Sequence, residues 1–94
     1  MAKYETIMVL STKLDEDATK ALVEKFTNLI AANGTVESVD EWGKRRLAYE
    51  IEDETEGYYV LMSFNSAPEF PKELERNMKN DEQILRYMVT RKEA

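Results

Sequence analysis

The sequence predicts an α+β sandwich in the order strand, helix, strand, strand, helix, strand, and three observations predict it. Lys3 to Leu10 and Tyr58 to Phe64 are apolar on both alternating faces, as strands at the middle of a sheet are. Leu22, Phe26, Leu29 and Ile30, and later Phe70, Leu74 and Met78, recur at helical spacing. Between these helices the chain holds one long, interrupted strand pattern with a cationic run inside it.

In chain order, Tyr4, Thr6, Met8 and Leu10 point one way from the first strand, and Lys3, Glu5, Ile7 and Val9 the other. Asp15 suits a helix N-cap, and Glu16 and Asp17 suit the positive end of the helix dipole. Gly34 after Asn33 is a C-terminal stop signal. Thr35 to Glu41 resumes a strand, with Val36 and Val39 spaced so that an irregularity is expected.

The stretch Trp42 to Ile51 then sets Lys44, Arg45 and Arg46 directly before an alternating segment, Leu47, Tyr49 and Ile51. Gly43 marks a bulge that bends this strand and re-aims the side chains beyond it. The cations are read either as an anion-binding cluster or as protection of an edge strand against pairing.

Glu52 to Glu56 reads as an acidic loop closed by Gly57. Its acids lack the spacing of a calcium loop, so no metal is expected there. In the third strand Tyr58, Val60, Met62 and Phe64 share one face, and Tyr59 and Leu61 the other. Ser66 is read as the cap of the second helix, with Pro68 and Pro71 in its first turn and Asn80 and Asp81 ending it. Gln83 to Arg91 is the last strand, with Ile84, Arg86, Met88 and Thr90 on one side and Leu85, Tyr87 and Val89 on the other. Lys92, Glu93 and Ala94 are expected to fray.

Right-handed crossovers put the first and third strands in the middle and both helices on one face. The result is one ferredoxin-like domain spanning 1–94, a four-stranded antiparallel sheet with two helices on one face. The other face is left bare. It carries Ile7, Val9, Tyr59, Leu61, Ile84 and Met88, an apolar patch of the kind that marks a partner protein.

Composition narrows the function. Of 94 residues, 43% are hydrophobic and 34% charged, the balance of a globular protein. There is no cysteine and no histidine, so thiol chemistry, disulfides and the commonest general base and metal ligand are excluded. No phosphate loop or nucleophile elbow is present, and no enzyme activity, cofactor or small-molecule substrate is expected. The opening residues lack an apolar signal region, no apolar run reaches membrane-spanning length, and a cytoplasmic protein is expected. The net charge of -6 opposes nucleic acid binding overall, but acids and bases are segregated along the chain.

Along nearly its whole length the chain resembles the bacterial small-subunit ribosomal protein six family. The resemblance rests on Lys3-Tyr4-Glu5, on Gly43-Lys44-Arg45-Arg46-Leu47-Ala48-Tyr49, on Glu56-Gly57-Tyr58-Tyr59, and on Arg86 with Met88-Val89 in the closing strand. It implies a ferredoxin-like fold without catalytic activity and a place in the small ribosomal subunit, on the central domain of 16S ribosomal RNA. It also implies a heterodimer with ribosomal protein eighteen, a candidate occupant of the bare face. Two departures stand out. Some relatives carry two basic residues before the tyrosine, where this chain has Ala2-Lys3, and contact with RNA at that end is expected to be weaker. Some carry long acidic tails, where this chain stops at Ala94, so tail modification is not expected.

With RNA as the partner, phosphate neutralisation falls to Lys3, Lys44, Arg45, Arg46, Arg86, Arg91 and Lys92, with Tyr4 as a stacking or hydrogen-bonding aid. The rival reading is a protein-only module that pairs through the bare sheet face.

Overall fold

The structure is a computed structural model that describes residues 2–51 and 53–92. Its elements are β1 (Ala2–Ser11), α1 (Glu16–Asn33), β2 (Gly34–Ile51), β3 (Glu54–Ser66), α2 (Phe70–Lys79) and β4 (Ile84–Lys92). All strand pairs are antiparallel, in the order β2-β3-β1-β4. This is the ferredoxin-like arrangement, with β1 and β3 central and both helices packed on one face.

The core lies between that face and the helices. Met8, Leu10, Val60, Met62 and Phe64 meet Phe26 and Ile30 of α1 and Leu74 of α2, all fully buried. Each such side chain contributes about 1.5–3 kcal/mol by leaving water. Thr6, also fully buried, is satisfied by donating to the Met78 thioether at 3.9 Å. The Asp15 carboxylate caps α1 by accepting from the Ala18 amide at 2.7 Å, a contact worth about 1 kcal/mol. Lys25 of α1 reaches Asp81 in the α2–β4 turn at 3.1 Å and ties the helical layer to β4.

Several expectations need correction. α1 stops at Asn33 with Gly34 as its C-cap, as expected, but not through a left-handed turn. The φ of Gly34 is -179°, extended, and this residue opens β2. Glycine is needed there for space, since a Cβ would lie 2.0 Å from the carbonyl oxygen of Asn65 across the ladder. Ser66 ends β3 rather than capping α2, whose N-cap position is Glu69 without a side-chain bond. Lys92 is the last residue of β4 rather than a frayed end, while Glu93 and Ala94 lie outside the described residues.

The acidic stretch is not simply a loop either. Glu52 lies outside the described residues, but β3 already begins at Glu54, which is only 7% exposed. The Glu54 carboxylate accepts from the Ser11 hydroxyl at 2.8 Å and from the Thr12 amide at 3.0 Å. It pins the β2–β3 hairpin to the end of β1.

The bulge at Gly43 is present, with φ at +82°, in the left-handed region glycine tolerates. The β2–β3 register shifts there, after Val36 and again after Arg46. Shifts of this kind bend and twist a strand, and β2 carries three of them while staying paired with β3.

A sheet face with an apolar centre and charged ends

Strand register fixes what the helix-free face displays. Leu61 of β3 lies opposite Ile7 of β1, which lies opposite Met88 of β4. One row further along, Tyr59, Val9 and Arg86 stand side by side. Ile7, Val9, Tyr59, Arg86 and Met88 border a shallow groove of about 190 Å³. Met88 is 51% exposed, whereas Val9 is only 4% exposed.

Val9 is covered because the hairpin folds back over it. A Cβ on Gly57 would meet Val9 Cγ1 at 2.3 Å and Leu47 Cδ2 at 3.2 Å, so these two side chains converge above that glycine. Leu47 is buried on the helix-free side of the sheet. Tyr49 extends further and lies under the Arg86 guanidinium, 5.8 Å from ring centroid to Cζ. The face is therefore roofed at its hairpin end and open at its centre.

Ile84 does not belong to it. The β1–β4 register shifts between Val9 and Leu10, so Leu10 pairs with Ile84 and Val9 with Arg86. Leu85 is the extra residue, and alternation restarts beyond it. Ile84, 9% exposed, turns into the helix-covered core with Tyr87 and Val89 packed nearby.

Tyr4 is also excluded from an interface role as a stacking ring. It is 6% exposed and stacks on Phe64 inside the core at 5.6 Å.

The candidate cations do not form one patch. Arg45 pairs in register with Gly57 and borders an open space of about 370 Å³ with Trp42 and Tyr59 on the helix-free side. Lys44 faces the other way, into a groove with Glu16 and Lys20 of α1, Glu41 and Tyr58. Arg46, next in the strand, shares the side of Lys44. In that groove the Tyr58 hydroxyl donates to Glu41 at 2.8 Å. This bond, then burial and the negative charges of Glu41 and Glu16, raise the Tyr58 phenol above its ordinary value.

At the far end of the helix-free face, Lys3 and Lys92 are register partners, and Lys92 reaches Glu5 at 3.6 Å. Arg91 pairs with Tyr4 and so leans toward the helix side. The helix-free face thus has an apolar centre between Arg45 and Arg86 at one end and Lys3 and Lys92 at the other.

Sequence reasoning passed over Trp42, which stacks on Tyr59 at 6.3 Å with the rings inclined by 10°. A bulky aromatic directly before a bulge glycine was the available signal.

Comparison with known proteins agrees with this architecture. The family model described as "Ribosomal protein S6" matches residues 3–91. A small ribosomal subunit protein bS6 from Alkaliphilus metalliredigens is 52% identical over 91 residues, covering 97% of each chain. Its counterpart from Clostridium perfringens is 52% identical over 94 residues, covering 99% of each. The crystal structure of 30S ribosomal protein S6 from Thermotoga maritima superimposes with a TM-score of 0.92 at 27% identity, over 97% of this chain and 87% of that one. Full-length identity near one half, together with the shared strand order, leaves one assignment: the chain belongs to the ribosomal protein S6 family.

Proposed function

We propose that the whole chain, 1–94, acts as one domain that holds the central domain of 16S ribosomal RNA together with ribosomal protein eighteen. Family membership makes it a protein of the small ribosomal subunit, and hence of the cytoplasmic ribosome. The role is structural, with no catalysis. The observation that carries the finer reading is the helix-free face, whose apolar centre lies between two cationic ends. An apolar centre suits a protein partner, and flanking cations suit phosphates that pass beside it.

The net charge of -6 gives the partner a second task. Long-range repulsion from RNA has to be offset, and a basic protein seated on Ile7, Leu61 and Met88 would offset it. Lys3, Arg45, Arg86 and Lys92 then supply phosphate contacts around its rim, with Lys44, Arg46 and Arg91 reached from the helix side.

Co-sedimentation tests this reading. Tagged protein expressed in bacterial cells should travel with small ribosomal subunits and bring ribosomal protein eighteen with it. Recovery only in the light fractions would refute it.

A further inference from the structure

We propose that Trp42, Tyr59 and Arg45 form a stacking site for one unpaired nucleobase of RNA. The inference rests on the RNA-binding reading above and gives one site within it a chemistry. Trp42 is the unpaired residue of a bulge, since Glu41 faces Val60 and Gly43 faces Tyr59, with nothing opposite Trp42. The bulge places the indole on Tyr59 at the hairpin end of the helix-free face.

The indole is held there in a fixed attitude. Its Nε1 donates to the Asp40 carboxylate at 3.0 Å, so its one polar atom is already satisfied. Yet 42% of the residue remains exposed, a large aromatic surface left in water. Tyr59 is already stacked on the indole, and the surface still exposed leaves room for a second flat partner.

The surroundings select the partner. Among the described residues, the open space of about 370 Å³ is bordered by two aromatic residues, Trp42 and Tyr59, and by Arg45. Aliphatic walls border the neighbouring groove, through Ile7, Val9 and Met88. A protein side chain is better served by that groove. A base stacks on a ring whatever its sequence, and its phosphate takes the adjacent arginine. The two sites are contiguous through Tyr59, so partner protein and RNA would meet at this residue.

Trp42 is the only tryptophan in the chain, so a 15N-labelled sample gives a single indole resonance. The probe is a short single-stranded oligoadenylate, titrated at low salt into the full-length protein, with inorganic polyphosphate as control. The expected result is a saturable upfield movement of the indole proton with oligoadenylate and none of that size with polyphosphate. Trp42→Leu should weaken binding about tenfold, the scale of one base–aromatic stack, and Trp42→Phe should restore part of it. Arg45→Ala should lower the salt slope by about one.

An unmoved indole, equal movement with polyphosphate, or unchanged binding by Trp42→Leu would overturn the proposal. Movement only on adding ribosomal protein eighteen would overturn it too, and would assign the site to protein. Co-sedimentation of Trp42→Leu separates the two readings. If wild type and variant associate equally with small subunits, the stacking site is refuted while the RNA-binding role stands. If wild type itself fails to associate, the role falls as well.

Discussion

Replacing Leu61 by aspartate separates the helix-free face from the core. Leu61 is half-buried on β3, between Ile7 on one side and Asp40 on the other. Full burial of a leucine is worth about 1.5–3 kcal/mol, so losing a half-buried one costs about 1 kcal/mol. A carboxylate placed directly opposite Asp40 adds about 0.2–1 kcal/mol of cross-strand repulsion. Folding should therefore weaken by about 1–2 kcal/mol. Binding should suffer more, because central apolar groups carry most of an interface's energy. A loss of about 2 kcal/mol or more is expected, or about thirtyfold in Kd. Leu61→Lys faces Asp40 with the opposite charge, so it should fold better than Leu61→Asp and bind as poorly. Leu74→Ala, at a fully buried position of α2, should cost about 2–5 kcal/mol of stability. Urea denaturation and titration calorimetry with ribosomal protein eighteen give both quantities. If Leu61→Asp destabilises the fold more than Leu74→Ala, the assignment of faces is contradicted. If it folds and still binds, the partner docks elsewhere, along the β2 or β4 edge.

Three further outcomes are expected. Gly34→Ala, which drives a methyl into the Asn65 carbonyl oxygen at 2.0 Å, should cost about 3 kcal/mol in denaturation, whereas Gly43→Ala meets no neighbour within 4 Å and should cost only the left-handed backbone, about 1–2 kcal/mol. The raised Tyr58 phenol stabilises the fold fully below its unfolded value near pH 10, and this contribution is lost as pH rises through the folded value. Stability measured from pH 9 upward should thus fall more steeply in the wild type than in Tyr58→Phe, and parallel curves would remove Glu41 as the cause. Alanine at Lys44, Arg45 and Arg46 together should leave the fold intact and lower the salt slope of RNA binding by about one per lost phosphate contact, while an unchanged slope and affinity would return the triplet to edge protection.

The order of elements and the central place of β1 and β3 were legible because a strand apolar on both faces needs cover on both, which the middle of a sheet provides. The misplacement of Ile84 has its physical origin in register. A bulge at Leu85 inverts the alternation of β4, which moved Ile84 into the core while leaving Met88 outside it. No local feature of Gln83 to Arg91 announces that shift. Gly34 shows a different limit. Its need for a missing side chain comes from a strand it meets 31 residues later, at Asn65, so a helix-stop rule found the right residue for the wrong reason. The cationic triplet was visible as composition, but a strand sends successive side chains to opposite faces, and Arg45 parts from its neighbours accordingly. Glu54 looked like one solvated acid among several, since its donors at Ser11 and Thr12 lie more than forty residues away in sequence.

The most direct test of the account compares RNA affinity with and without the partner. Binding of a 16S central-domain fragment is measured at physiological salt, first with this protein alone and then with ribosomal protein eighteen present. A chain of net charge -6 whose candidate cations are divided between the two sides of the sheet should bind weakly alone and tightly as the heterodimer. Tight binding by the lone protein, unchanged when the partner is added, would contradict the claim that the apolar centre exists to seat it.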